Sequence, residues 1–138
     1  MVDPRVPFDA TPAVVWAAVF GALGVAMGAF AAHSLEDVLT PDRMETLQTA
    51  VRYQMVHALA LLGTASLSAQ LEPWSARWAV RSFVAGVVIF SGSLYALVLA
   101  DISWFGAVTP IGGVALIGGW ISLGTAAIRS RRPPRTGA

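Results

Sequence analysis

The stretch that decides the fold is a short polar cluster that runs directly into an apolar segment: Tyr53-Gln54-Met55-Val56-His57-Ala58-Leu59-Ala60-Leu61-Leu62. Tyr53, Gln54 and His57 occupy positions i, i+1 and i+4, so we expect them to share one face of a helix. The residues that follow carry no charge, and they favour insertion into a lipid bilayer. A polar face in lipid needs hydrogen-bonding partners, and we expect three other membrane helices of the chain to supply them.

The composition is that of a membrane protein. Of the 138 residues, 56% are hydrophobic and 12% are charged, whereas about a quarter of the residues in a soluble domain are charged. The chain contains no cysteine, which excludes disulfides and thiolate metal sites. Its net charge is +1 and its basic cluster lies at the C-terminal end, so nucleic acid is not an expected partner.

Four uncharged segments predict four transmembrane helices, since about 20 helical residues span roughly 30 Å of hydrocarbon. We place these helices at residues 12–32, 53–71, 82–100 and 110–128. Thr-Pro pairs at 11–12, 40–41 and 109–110 indicate helix starts, because proline at the first helical position loses no hydrogen bond. We expect the lead at residues 1–11 and the basic tail at 129–138 to be disordered.

The segment between the first two predicted spans has a different character. It carries both acidic and basic side chains, while Val38, Leu39, Met44 and Leu47 are spaced to line one side of a helix. This pattern is typical of an amphipathic segment at the membrane interface. We expect a helix at residues 41–52 that continues into helix 2. The predicted fold class is therefore an all-α membrane protein with four transmembrane helices and an amphipathic interfacial segment between helices 1 and 2.

The distribution of arginine predicts the orientation. With four spans, both termini and the connection at residues 72–81 lie on one side, and they hold seven of the nine arginines. The other side holds Arg43 and Arg52. Cytoplasmic segments are enriched in basic residues, so we expect a multi-pass protein of the bacterial inner membrane with both termini in the cytoplasm.

Polar residues near one end of the predicted spans form a candidate site. They lie in the half of the bilayer away from the termini: His33, Tyr53, Gln54, His57, Ser91, Ser93, Tyr95 and Thr109. His57 is the deepest ionisable group, about 6 Å beyond Tyr53, and an intramembrane ionisable residue is a functional candidate. A neutral histidine can equally hold helices together by hydrogen bonds, and we favour that structural interpretation.

Small residues recur in helices 1 and 4 at spacings of three or four, which predicts close helix contacts. The glycines assigned to helix packing are Gly21, Gly24, Gly28, Gly112 and Gly119. The alternative is that glycine is simply frequent in transmembrane helices.

Signals for catalysis or for a metal are weak. His33 and His57 with Glu36 or Asp37 offer ligand types that suit zinc, but no fixed ligand spacing accompanies them. The nucleophile motif Gly-x-Ser-x-Gly is absent from the sequence. We therefore predict no catalytic residue, no metal and no cofactor.

Four stretches together resemble a known family. They are Gly28-Ala29-Phe30-Ala31-Ala32-His33, Tyr53-Gln54-Met55-Val56-His57-Ala58-Leu59-Ala60, Phe90-Ser91-Gly92-Ser93-Leu94-Tyr95, and Thr109-Pro110-Ile111-Gly112-Gly113 followed by Gly119-Trp120. The chain from Gly21 to Leu123 resembles the family called domain of unknown function 423, although Ala31 and Ser34 stand where we expect glycine in that family. The resemblance implies a small bacterial membrane protein with four spans. It implies no chemistry, because the family has no established activity.

Three hypotheses of function remain open. The first is a structural or accessory protein in the lipid bilayer, which packs through its small-residue faces and forms a homo-oligomer or joins a larger membrane complex. The second is a small transporter or channel that uses His57, although no Asp, Glu, Lys or Arg lies within residues 13–32, 58–71, 82–100 or 110–128. The third is a histidine-based metal or cofactor protein. We favour the first, which involves no enzymatic activity.

Overall fold

A computed structural model describes residues 8–130, and this range contains four α-helices, one 3₁₀ turn and no strand. The helices are α1 (Thr11–Ser34), α2 (Pro41–Ser66), α3 (Pro73–Leu99) and α4 (Phe105–Ser130), with the 3₁₀ turn at Ser68–Gln70. The predicted all-α class is confirmed. The predictions made for residues 1–7 and 131–138 lie outside the described residues.

Three of these helices, α1, α3 and α4, are long and apolar enough to cross a membrane. The helix α2 does not meet the same criterion. Its N-terminal half carries Asp42, Arg43, Glu45 and Arg52, which leaves too short an uncharged stretch for a span judged by composition alone. The prediction that α2 also spans the membrane rests instead on the topology.

The helix α2 runs antiparallel to both α1 and α3. Leu47, near the start of α2, packs against Ala31 and Val98, near the ends of α1 and α3. Ala65, near the end of α2, lies in one apolar cluster with Ala13 at the start of α1. Because α1 and α3 therefore run in the same direction, α2 must return the chain through the same layer.

Both ends of the described chain lie at one end of the bundle. Phe8, which precedes α1, packs with Leu71 just before α3, with Ala76 at the start of α3 and with Ala126 near the end of α4. We call this the terminal end, and we call the end with the α1–α2 and α3–α4 connections the distal end. An even number of passes agrees with the four-helix arrangement that was predicted.

The start of α3 differs from the prediction. The helix begins at Pro73 rather than Ser82, so the expected polar connection at 72–81 is largely helical. The carboxylate of Glu72 caps it by accepting hydrogen bonds from the backbone N–H groups of Trp74, at 2.8 Å, and Ser75, at 2.9 Å. Burial alone would raise the pKa of Glu72, but these hydrogen bonds and the nearby charge of Arg129 outweigh it and lower that pKa below its usual value.

The start of α4 also differs from the prediction. The helix begins at Phe105, and Pro110 lies inside it. Hydrogen bonds from the N–H of Phe105 to the Ile102 carbonyl, at 3.2 Å, and from the N–H of Gly106 to the Ser103 carbonyl, at 3.1 Å, form the first turn before the proline is reached. Pro110 has no N–H to give to the carbonyl four residues earlier, so it costs one helical hydrogen bond without ending the helix.

The helix α2 is continuous from Pro41, as expected, but it ends at Ser66 and not at Leu71. A 3₁₀ hydrogen bond of 2.8 Å from the N–H of Gln70 to the Leu67 carbonyl turns the chain and buries Leu71 at the terminal end. The remaining helix ends differ from the prediction by one or two residues, which is the usual uncertainty of such boundaries. The interfacial location of residues 41–52 stays a prediction.

Glycine allows α3 and α4 to approach closely. A Cβ atom built on Gly112 would lie 2.7 Å from the backbone Cα of Phe90, and one built on Gly119 would lie 2.5 Å from the ring of Phe83. Carbon atoms do not pack at such distances. Gly86 of α3, which sequence reasoning missed, meets α4 in the same way.

The predicted glycine stripe of α1 is only partly in contact with α2. A Cβ atom on Gly24 would lie 2.5 Å from the sulfur of Met55, whereas one on Gly28 would make an ordinary 3.7 Å contact with Val51. A Cβ atom on Gly21 would have no atom within 4 Å apart from its chain neighbours and the backbone of its own helix. Within the described chain, only Gly24 of these three glycines therefore makes a tight contact, and the packing role of Gly21 and Gly28 stays a prediction.

Candidate functional site

Gln54 connects three helices. It is 4% exposed, and its amide Nε2 donates a 2.7 Å hydrogen bond to the backbone carbonyl of Phe20 in α1. Its Oε1 accepts a 2.9 Å hydrogen bond from the hydroxyl of Tyr95 in α3. Gly24 lies beside this amide, and a Cβ there would lie 3.4 Å from Nε2. Both polar atoms of the side-chain amide therefore form hydrogen bonds to other helices.

His57 connects α2 to α4. Its Nε2 accepts a 3.2 Å hydrogen bond from the indole N–H of Trp120, and its Nδ1 lies 2.7 Å from the carbonyl of Tyr53. An indole nitrogen can only donate and a carbonyl can only accept. Nε2 must therefore be unprotonated and Nδ1 must carry the hydrogen, which assigns a neutral imidazole. The ring is 4% exposed and packs against Phe83, with ring centroids 5.6 Å apart.

Hydroxyl groups make two further hydrogen bonds between helices within this region. Ser91 of α3 donates a 2.8 Å hydrogen bond to the carbonyl of Ala50 in α2. Ser93 of α3 and Thr109 of α4 share a hydrogen bond of 2.8 Å between their hydroxyl oxygens. These bonds lie nearer the distal end than those of Gln54 and His57, so the polar contacts form a column.

Two of the predicted site residues do not join this column. His33 is exposed at the distal end of α1. The ring of Tyr53 is 42% exposed and packs on Phe90, with centroids 4.5 Å apart. Gln54 forms hydrogen bonds with α1 and α3 while His57 forms one with α4, so the expectation that Gln54 shares a face with the other two is wrong. Tyr53 and His57 do share a face, with ring centroids 6.1 Å apart. At about 100° per residue, Gln54 lies about 100° from Tyr53 and about 60° from His57 around the helix.

The column reaches further into the bundle than expected. Sequence reasoning began this helix at Pro41, as the structure does, but it placed the 12 residues before Tyr53, about 18 Å of helix, at the membrane surface. Leu47, between them, is already buried against α1 and α3. His57 consequently meets α4 at Trp120, past the middle of that helix, and not in its distal half.

Sequence reasoning missed several of the hydrogen-bonding partners. The carbonyls of Phe20 and Ala50 belong to the backbone, which carries no sequence signal. Trp120 offered a signal, because an indole N–H in the middle of a membrane helix needs an acceptor.

The chemistry available to the column is hydrogen bonding. Across residues 8–130, no three His, Asp or Glu side chains are grouped so that they could hold a metal ion. The nitrogens of His57 and the amide of Gln54 are engaged by other helices or by the preceding turn.

An open groove lies beside the column, between α2 and α4. We call it the α2–α4 groove; it has a volume of about 430 Å³. Val56 and Ile117 form its rims and are 48% and 61% exposed, and Phe90 of α3 lies at its floor. Arg52 lies at its distal end and Trp120 at its other end. The lining is apolar apart from Arg52 and the polar atoms of Tyr53 and His57.

Comparison with known proteins identifies the family. The sequence model described as "Protein of unknown function (DUF423)" matches residues 27–113. The chain is 38% identical to the UPF0382 inner membrane protein YgdD of Escherichia coli strain K12, over 86% of this chain and 91% of that protein. It is 41% identical to the UPF0382 membrane protein YwdK of Bacillus subtilis strain 168, over 84% and 95%.

A third relative, a UPF0382 membrane protein of Haemophilus influenzae, is 40% identical over 83% of this chain and 91% of its own length. No solved structure matches the chain significantly. The names of the relatives give a location in the membrane and assign no activity. The family match covers both partners of three of the five hydrogen bonds between helices described above, and it includes Gln54, His57, Ser91 and Thr109. The chain belongs to the DUF423 family of membrane proteins.

Proposed function

We propose that the protein is a structural or accessory component of the bacterial inner membrane and that its polar residues hold its helices together. The observation that carries this proposal is the state of His57. A reactive histidine needs a free nitrogen to take or give a proton. Here Trp120 and the carbonyl of Tyr53 engage both nitrogens and favour the neutral imidazole. The hydrogen bonds of Gln54 likewise bind helix to helix.

The proposal extends to orientation and to assembly. The terminal end carries Arg77, Arg81 and Arg129 within the described residues, and by sequence it also carries the C-terminal arginines. The positive-inside rule supports a cytoplasmic terminal end. The open space around Gly21 supports association of α1 with a second copy or with another membrane protein, because small residues allow helices to approach closely.

Substitution at His57 tests the structural role. The variant His57→Ala leaves the indole N–H of Trp120 without an acceptor, and we expect it to lower the free energy of unfolding by about 1–3 kcal/mol. The variant His57→Gln retains a donor and an acceptor and should recover most of that loss. The measurement is thermal unfolding of the purified protein in detergent.

The matched control is Trp120→Phe, which keeps an aromatic ring and removes the donor. In the double variant with His57→Ala the two losses should be less than additive, because both remove the same hydrogen bond. Equal stability of the wild type and the alanine variant, together with loss of a cellular phenotype in both His57 variants, would instead establish a reactive histidine.

A further inference from the structure

The α2–α4 groove is a built feature of the fold. Backbone contact between α2 and α4 is slight, and the hydrogen bond from Trp120 to His57 joins the two helices at one end of the groove. Gly113 adds no side chain to the α4 wall. From Gly113 to Trp120 the groove follows α4 for about 10 Å. Its shape is that of a slot open toward lipid.

Arg52 at the distal end of the groove lies below the membrane surface. Val51 is level with Gly28, and α1 continues six residues further to Ser34, or about 9 Å. The 24 residues of α1 span about 36 Å, against roughly 30 Å of hydrocarbon, so a centred helix projects by about 3 Å at each end. The backbone of Arg52 therefore lies about 6 Å inside the apolar layer.

A cation at that depth needs a negative partner. The guanidinium of Arg43, on the same helix, pairs with Asp101. Arg52 is exposed, and among residues 8–130 no carboxylate lies within 4 Å of it. An arginine near a helix end reaches toward the phosphate layer with its long side chain while its stem stays in lipid. The groove and this side chain thus meet at the level where acyl chains join headgroups.

We propose that the α2–α4 groove binds one anionic phospholipid, with the phosphate on Arg52 and an acyl chain along Val56, Phe90 and Ile117. The planar guanidinium donates paired hydrogen bonds to phosphate oxygens. The apolar slot accepts the chain, and Trp120 closes its deep end. This site is independent of the proposed structural role of His57, since it uses the outer walls of the groove and leaves the hydrogen bonds of that histidine intact.

Native mass spectrometry of the full-length protein tests this site. The protein is purified in detergent and exposed to phosphatidylglycerol or to phosphatidylcholine with identical acyl chains. We expect one retained phosphatidylglycerol per chain at concentrations where phosphatidylcholine is largely lost. The variant Arg52→Gln should weaken phosphatidylglycerol binding about fivefold, while Arg52→Lys should retain most of it.

Two pairs of variants separate the site from general adhesion of lipid. Arg81→Gln removes a charge from another lipid-facing groove, where the guanidinium lies 5.6 Å from the ring of Trp78, and it should leave binding unchanged. Gly113→Leu fills the groove and should abolish retention of phosphatidylglycerol. Gly118→Leu adds the same side chain where no described atom lies within 4 Å of the Cβ position, and it should not.

Three results would overturn the proposal. Equal retention of the two lipids would remove the role of the charge. Equal weakening by Arg52→Gln and Arg81→Gln would indicate a diffuse attraction with no site. A dimer that Gly113→Leu dissociates, with lipid retention unchanged, would show that a second copy of the chain occupies the groove.

Discussion

The variant Gly112→Ala should push α3 and α4 apart. Its methyl group would lie 2.7 Å from the Cα of Phe90, and the backbone N of that residue is also in its way. Backbone atoms inside a helix cannot rotate aside as a side chain can, so the two helices must separate. Overpacking of this kind costs about 1–3 kcal/mol, and separation also weakens the hydrogen bond between Ser93 and Thr109.

The neighbouring glycine provides the matched control. At Gly113 the same methyl group would make ordinary contacts of 3.8 and 3.9 Å with the ring of Phe90. In a helix interior, alanine is favoured over glycine by about 1 kcal/mol. We therefore expect Gly113→Ala to be neutral or stabilising, and the two alanine variants to differ by about 2–4 kcal/mol in the free energy of unfolding.

The assay is unfolding of both variants in mixed micelles as the fraction of denaturing detergent rises, followed by circular dichroism. The wild type should unfold between the two variants, with Gly112→Ala first. If both variants unfold together, α3 and α4 do not approach at Gly112, and the close packing described above is wrong.

Two further predictions concern the cap of α3 and the orientation. The pKa of Glu72 is lower in the folded protein than its ordinary value of 4.5, so the ionised carboxylate stabilises the fold above pH 4.5. This stabilisation is lost as the pH falls through the folded-state pKa. The variant Glu72→Gln should therefore show a smaller decrease in melting temperature between pH 7 and pH 3 than the wild type. The variant Glu36→Gln, which alters an exposed carboxylate of the α1–α2 connection, is the control, and an unchanged pH profile for Glu72→Gln would exclude the carboxylate as the cap. For the orientation, a reporter that is active only in the cytoplasm should function after Ala138, and a periplasmic reporter should function within residues 36–39; the reverse pattern would contradict the arginine distribution.

The helices could be predicted because their length and lack of charge are read directly from the sequence. The starts of α3 and α4 could not be predicted in this way. Glutamate is not among the usual capping residues, so Glu72 gave no start signal ahead of Pro73. Pro110 resembled a start because proline is common at first positions, yet the turn at Ile102–Gly106 had already begun the helix. A proline pattern alone does not distinguish a first turn from a second.

The sequence predicted which types of residue lie in the candidate site, but it did not predict how they are arranged or which partners they contact. Gln54 and His57 had to avoid lipid, so their position inside the bundle followed from their chemistry. Their partners did not, since the acceptor of the Gln54 amide is a backbone carbonyl, that of Phe20, and every residue of α1 carries one. The start of α2 at Pro41 was predicted, but the burial of Leu47 against α1 and α3 was not, because it depends on how the three helices pack.

The charges of α2 have a consequence for how the protein enters the membrane. A single arginine or aspartate costs about 2.5–3.5 kcal/mol at the centre of a helix during insertion, so α2 would not partition into lipid by itself. Its neighbours in the chain, α1 and α3, are both apolar enough to do so. We therefore expect α2 to enter the membrane together with α1 as a hairpin, in which the Phe20 carbonyl can accept the hydrogen bond of the Gln54 amide. On this expectation, α2 leaves the translocation channel only once α1 is in the membrane to receive it.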